Sequence, residues 1–462
     1  MTVDKRLRFG MRIGAGAATA FGLAVLVGAA LVVDLPHYSA DASQTTVTPE
    51  AADQLRTCPG SVLEVGKDAA AATALTPVGS PKVVASDDEG ISVDPSWLKA
   101  PDVNSDEHGP ATLTLPTEAS SDTMSGSQSQ SVETDTLAGF AAAECQETSS
   151  EAWLVAGSTD IGRTSLVMLN NPSGVDATVD IAVTGENGPI DSPNGLGIVV
   201  EAGTQKVVSL AGIAPNTITP VVHVTSTGAD IQSWVQQSSI RGLVPAGIEM
   251  AGRGADPSES TTIPGVQIYS GQPETSTQEY DDRRPALRVF SPSGKPTHVS
   301  ATITDESGKD VSTMEVDITK GAVGEYPLGD LPSGRYSIHV DASQPVVAAA
   351  RTSVSEDKAG DFSWFASAAE LETPFVVDAA SGPGRSLVLH NASDTKATVE
   401  IGTESVTIDT RASYTYPLEG PVTVTPDAGV LAVVSYAGGN SVSSFTITAP
   451  KPASEPIDVS VR

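Results

Sequence analysis

The segment SLVMLNNPSGVDATVDI, residues 165–181, decides the fold class. An apolar run from Ser165 to Leu169 meets Asn171-Pro172-Ser173-Gly174, a turn sequence in which proline presets φ and glycine accepts a positive one. Beyond it Val175, Ala177, Val179 and Ile181 fall on alternate positions. That period places side chains on one face of a sheet. A sheet with one apolar face needs a second layer to cover it, so the segment predicts a two-layer sandwich.

The pattern recurs as PALRVFSPSGKPTHVSA at 285–301 and RSLVLHNASDTKATVEI at 385–401. Ser291-Pro292-Ser293-Gly294 and Asn391-Ala392-Ser393-Asp394 stand where the first turn stood, and Thr395, Ala397, Val399 and Ile401 repeat the alternation. Thr184-Gly185-Glu186-Asn187-Gly188 is answered by Thr304-Asp305-Glu306-Ser307-Gly308, both hairpin sequences. GTQKVVSL at 203–210, GAVGEYPL at 321–328 and RASYTYPL at 411–418 form a further matched set. Each precedes a valine- or isoleucine-rich strand (220–224, 336–340, 422–424) and a closing one (231–235, 346–350, 430–435).

The expected fold is mainly β, a tandem of Ig-like β-sandwiches. Repeat 1 covers 151–250, a loose linker 251–284, repeat 2 285–355, repeat 3 356–450, and a polar tail 451–462. A propeller is the rival architecture, because blades also repeat; three copies separated by long gaps argue against a closed ring.

The N-terminal segment points to export. Lys5, Arg6, Arg8 and Arg12 make residues 1–12 a basic, cytoplasmic tail, and Ile13 to Val33 carries no charge. Such a stretch is long enough for a helix to cross a hydrocarbon core of about 30 Å. The expectation is a retained signal anchor with the C-terminal part outside; the alternative is secretion after cleavage near Ala42. Residues 43–150 read as an early strand within TCPGSVLEV (57–65) followed by a Ser/Thr-rich region, with 104–138 a flexible insertion. Cys58 and Cys145 are the only cysteines, and export makes one disulfide their natural state.

The net charge of −31, from 57 acidic and 26 basic residues, excludes nucleic acid as a partner and disfavours self-association. No G-x-S-x-G, H-E-x-x-H, P-loop or C-x-x-C motif occurs. No catalytic, cofactor-binding or metal residue is therefore assigned. His223, His298, His339 and His390 are spread over three repeats and read as ordinary strand histidines. Asp87-Asp88-Glu89, Asp305-Glu306 and Glu279-Tyr280-Asp281-Asp282 read as solvated acidic loops. Trp153 and Trp364, each ahead of a repeat, read as core residues, with carbohydrate stacking the sharper alternative.

The leader, Cys58-Pro59-Gly60, Trp153 and the Asn-Pro-Ser-Gly strand together resemble an actinobacterial secreted or membrane-anchored family, domain of unknown function 5719. The resemblance implies an envelope setting and no catalytic residues. Ser291 at the place of Asn171 argues against a function tied to the asparagine itself. The resulting expectation is a non-enzymatic envelope scaffold, spacer or binding protein, monomeric, with an envelope protein or glycan as partner. The alternatives are an envelope-glycan hydrolase or modifying enzyme and a solute- or cation-binding protein.

Overall fold

The computed structural model describes residues 43–47, 53–66, 74–104, 109–117, 123–270, 280–356, 359–449 and 457–461. The chain divides into two compact units. In the smaller one, residues 1–50 with 454–462, the described residues form one antiparallel pair, Ser43–Val47 with Ile457–Val461. The segment read as a polar tail thus contains a strand. The basic tail 1–12 and the membrane segment 13–33 lie outside the described residues. Among the described residues no helix is long and apolar enough to cross a membrane.

The larger unit is built of antiparallel sheets, and the three matched segments pair identically. The strand before each turn, Arg163–Asn171, Ala286–Phe290 or Ser386–His390, lies between Thr204–Ser209, Gly324–Pro327 or Ser413–Pro417 on one side and the closing strand on the other. The strand after each turn, Ala177–Gly185, Thr297–Asp305 or Ala397–Ile401, pairs in a second sheet with Val221–Thr227, the first part of Gly334–Glu356, or Val422–Pro426. The two sheets of each module share a core. In the second module Val167, Leu169 and Val235 meet Val179, Ile181 and Val224. Leu287 and Ala348 meet Val299 and Ile338 in the next, and Leu387 and Val434 meet Val399 and Val424 in the last. The alternation holds from Ala177 onward, while Val175 is 60% exposed because it still belongs to the turn.

One more module, the first in the chain, precedes these three. Its outer sheet runs Gln146–Glu147, Gln54–Thr57, Ala111–Leu115, Ser96–Trp97, and its inner sheet Lys82–Asp87, Met124–Glu133, Ala138–Glu144. Residues 104–138, expected to be flexible, therefore contain two buried strands. The polar strand Met124–Glu133 is buried because its side chains replace backbone partners. Gln128 accepts from the Gly60 N–H at 3.0 Å and donates to its carbonyl at 2.6 Å, and Gln130 accepts from Val62 N–H at 3.0 Å. On the opposite face Ser125 and Ser127 accept from the N–H groups of Asp378 and Ala380, and Ser129 donates to the Ser381 carbonyl.

The expected linker 251–284 is corrected too. Ser258–Ile268 is a strand of the third module, paired with Gly334–Glu356. Pro264-Gly265, a loop signal in sequence, forms a bulge where the register shifts, and Gly265 takes φ +69°. Ala359–Ala366 pairs with the same long strand, so this module extends beyond both boundaries drawn for repeat 2.

The four modules close on themselves rather than stringing out. Each inner sheet ends in an innermost strand: Ala138–Glu144, Val244–Ala251, Ala359–Ala366 and Ser441–Thr446. Each of these packs against the next, and the fourth packs against the first, around a common axis. The serine face of Met124–Glu133 is the seam between the first and last modules.

Candidate functional site at the axis and joints

The axis brings together groups that the sequence keeps far apart. Asp361 is buried there, and its carboxylate accepts one backbone N–H from each innermost strand. Oδ2 takes Phe140 at 2.9 Å and Val442 at 3.2 Å; Oδ1 takes Ile248 and its neighbour Phe362, both at 3.1 Å. Two glycines make room for it. A Cβ at Gly139 would stand 2.7 Å from Asp361 Oδ1, and one at Gly247, where φ is +113°, 2.9 Å. Burial raises the Asp361 carboxyl well above its ordinary range, the nearby Glu249 adds to the rise, and the N–H donors oppose it.

Glu249 lies one residue along its strand from the Ile248 donor. Its Oε1 accepts from the Ser443 hydroxyl at 2.7 Å and from the Met250 N–H at 2.9 Å. Burial pushes it up to about 8 against those hydrogen bonds. Glu144, at the end of the first innermost strand, is also raised by burial, although Arg56 contacts it at 3.1 Å and Thr448 donates to it.

The joints between modules carry buried charge and amides. Between the first and second modules, Gln236 takes both the N–H and the carbonyl of Leu63, at 2.8 and 2.7 Å, and Asn170 donates to the Cys58 carbonyl. Between the second and third, Arg288 reaches the carbonyls of Gly157 and Pro220 at 3.0 and 2.8 Å while pairing with Glu325 at 2.7 Å. Arg351 pairs with Glu325 from the other side at 3.1 Å. Burial pulls Glu325 up, but Arg351 and Arg288 outweigh it, so it stays ionised below its ordinary value. Trp364 lies under the Arg288 guanidinium, 4.3 Å from its ring centroid, and donates its indole N–H to Gln237 at 2.8 Å. Between the third and fourth, His390 Nδ1 lies 3.1 Å from Ser337 Oγ and 3.0 Å from Ser413 Oγ; burial first, then the charges of His339 and Arg411, lower it to about 4.

The residues singled out in the sequence divide accordingly. Cys58 and Cys145 form a disulfide that links the two sheets of the first module. Asn171 and Asn391 bond alike: each accepts from the backbone and hydroxyl of the serine two residues on, and each donates to the carbonyl four residues on. Ser291 keeps the contact to Ser293 and donates to the Pro345 carbonyl instead. These turns organise their strands and converge on no common point. Asp281 and Asp282 are not in a solvated loop. Asp282 clamps Arg163 at 2.7 Å and Arg241 at 3.2 Å, and although burial raises it, Arg351, Arg241 and Arg163 hold it below its ordinary value. Trp153 is buried and stacks on His223, with ring centroids 3.9 Å apart. His298 pairs with Glu315 and Asp317 of the neighbouring strand Asp310–Ile318, and His339 with Asp341 of its own. Among the described residues no three His, Cys, Asp or Glu side chains are grouped to hold a metal ion.

At one end of the axis a basin of about 600 Å³ opens between the segments that follow the innermost strands, lined by Glu151, Arg253, Asp256, Ser367 and Thr448 among others. Nothing in the sequence marks it, because each segment lends only a few residues.

A family model described as "Family of unknown function (DUF5719)" matches residues 101–428, most of the ring. The chain belongs to this family. The DUF5719 match begins inside the first module and ends inside the fourth, so the matched region includes residues of all four modules. No curated protein matches the chain. Among solved structures, one titled "Biofilm associated protein - BSP domain" is 9% identical, with 90% of this chain and 99% of that one covered and a TM-score of 0.14. An alpha-L-rhamnosidase of Streptomyces avermitilis complexed with L-rhamnose is 10% identical, with 87% of this chain and 55% of that one covered and a TM-score of 0.10. Neither likeness supplies a fold or a function for this DUF5719 chain.

Proposed function

We propose that this protein is a non-enzymatic envelope module, a scaffold, spacer or binding protein held outside the membrane by residues 13–33. The alternative for its tethering is release after cleavage near Ala42. One observation carries the reading: the buried ionisable groups Asp361, Glu249 and the Arg288–Glu325–Arg351 cluster are engaged in holding the four modules together. Displaced carboxyls in a cleft suggest acid–base chemistry; here they sit at an axis filled by backbone donors and at module joints, which suits a stiff block better than a reacting centre. The high like charge favours a monomer that keeps its distance from anionic polymers.

Fractionation and capture from the native envelope test this. The full chain is expected in the membrane fraction, cleavable by protease added from outside, and able to retain a stoichiometric protein or glycan partner after mild solubilisation. Recovery of the chain in the cytosol would refute the display, and hydrolysis of envelope glycan by the purified chain would refute the absence of catalysis.

A further inference from the structure

We propose that the axial basin binds a small organic carboxylate, one oxygen of which enters a neck in the basin floor. The inference goes beyond the envelope reading and stands without it, since a scaffold need not hold a ligand. The neck is a space of about 20 Å³, room for one group the size of a water molecule. Arg253, Gly254, Ala255, Ser367 and Thr446 line both the neck and the basin of about 600 Å³, so the one opens from the other. The basin is within the range of small-molecule sites, about 300–1,000 Å³.

Each module lends the neck a polar side chain at or just past the end of its innermost strand: Gln146, Arg253, Ser367 and Thr446. Trp234 is fully buried against the same space, and its indole N–H has no hydrogen-bond partner among the described residues. A Cβ at Gly252 would stand 3.2 Å from Trp234 Cδ1, the carbon beside that N–H, and 2.7 Å from Gln146 Nε2. The missing side chain of Gly252 therefore keeps open the spot on which the indole edge and the amide converge. A buried donor without an acceptor is costly, and a ligand oxygen in the neck would satisfy it. The segment that carries Arg253 is already fixed, because Gly254 and Ala255 donate their N–H groups to the carbonyls of Trp153 and Ser367. Such a site loses little freedom on binding.

The donors select the ligand. Trp234 and Arg253 can only donate, and the Gln146 amide and the two hydroxyls can donate as well. Arg253 pairs with no carboxylate among the described residues. Its charge does reach Glu144, which is already held by Arg56 at 3.1 Å and by the Thr448 hydroxyl at 2.9 Å. A singly charged acceptor answers the guanidinium and the neutral donors together. Glu144 in the neck, with Glu151 and Asp256 at the rim, disfavours a doubly charged group such as phosphate. The net charge of −31 is spread over the whole chain, and salt screens all of it beyond about 8–10 Å, so the local guanidinium decides. Trp153, Trp364 and Phe445 give the neck apolar walls, in which these bonds are stronger than in water.

Magnetic resonance of the nitrogen-15-labelled full chain in detergent tests the proposal, because its four tryptophans give four indole N–H signals. The Trp234 signal is assigned by its loss in Trp234→Phe. Acetate, trialanine and glucuronate are the carboxylate probes; trialanine amide, glucose and inorganic phosphate are the controls. At least one carboxylate should move the Trp234 signal saturably and leave that of Trp97, on its distant edge strand, in place. Tighter binding of trialanine than of acetate would identify the end of a peptide as the source, and tighter binding of glucuronate a sugar acid. Arg253→Gln should weaken the response about tenfold or more. Gly252→Ala, which fills the neck, should abolish the Trp234 shift. Thermal midpoints show that each variant is folded; should either not be, the comparison of trialanine with its amide on the wild type still decides. The proposal fails if no carboxylate moves the Trp234 signal, if the amide, glucose or phosphate moves it as well as the carboxylates do, or if the folded variants respond as the wild type does.

Discussion

Asp361 Oδ2 accepts the Phe140 backbone N–H at 2.9 Å, tying together strands whose contact residues lie 221 positions apart. The same carboxylate takes an N–H from each of the other innermost strands. Asp361→Ala would leave these buried donors unpaired, at about 1–3 kcal/mol each. Asp361→Asn should be nearly as harmful despite its shape, because its amide nitrogen would face donors with a donor of its own. Both variants should lower the urea midpoint sharply and expose the Phe140 and Val442 amides to hydrogen exchange. An Asn variant as stable as the wild type would show that the carboxylate does not organise the axis.

Glu249 sets a pH dependence of definite sign. Its folded value of about 8 lies above its ordinary 4.5, so between those values the native protein holds a proton the unfolded chain has released. Stability then falls as pH rises through that window, by up to about 1.4 kcal/mol per unit. Glu249→Gln removes the slope. Its advantage over the wild type should grow from pH 5 to pH 8 in denaturant titrations and level off above. A pH-independent difference between the two proteins would contradict the burial of an acid at this position.

His390 acts in the opposite direction. Its folded value of about 4 lies below the ordinary 6.5, so the unfolded chain binds the extra proton between them. Stability contributed by the neutral ring is lost as pH falls from about 6.5 toward about 4. His390→Asn, which can still accept from Ser337 and Ser413, should lessen the loss of stability in acid. Equal acid sensitivity of variant and wild type would place the titrating group elsewhere.

The repeats were legible because their signal is local. Ala177, Val179 and Ile181 advertise a buried face in a few residues, and Asn171 with Ser173 closes its turn by bonds within the turn itself. The first module was not legible, because Gln128, Gln130, Ser125 and Ser127 are buried by pairing with backbone groups remote in sequence, and composition alone reads them as solvated. Ring closure was hidden for the same reason. Asp361 looks like any strand-edge acid, and its partners are backbone groups that carry no residue signature. The one available signal was Gly139-Phe140, Gly247-Ile248 and Gly360-Asp361, a glycine immediately before the axis residue of three innermost strands.

Glu325 is the counter-ion of two buried guanidinium groups at the second joint. Glu325→Gln would leave Arg288 and Arg351 facing each other without it, a loss of about 3–5 kcal/mol by the usual cost of breaking a buried pair. The double variant Glu325→Gln with Arg288→Met removes one stranded charge as well. It should be less destabilised than the sum of the single variants, measured by equilibrium urea unfolding. Simple additivity would mean that the two side chains do not act as a pair.

The disulfide should matter most at the seam. Cys58 and Cys145 are both fully buried and lie 87 residues apart in sequence. Replacing both by serine removes a loop constraint of about 4–5 kcal/mol on a chain-entropy account. It also loosens the first module, whose strand Met124–Glu133 supplies the serines that hold the last module. Hydrogen exchange of the double serine variant should therefore speed up first at the Asp378 and Ala380 amides, while the Trp364 indole at the second joint stays protected. Uniform loss of protection over all four modules would instead mean that the ring unfolds as one cooperative body with no weakest joint.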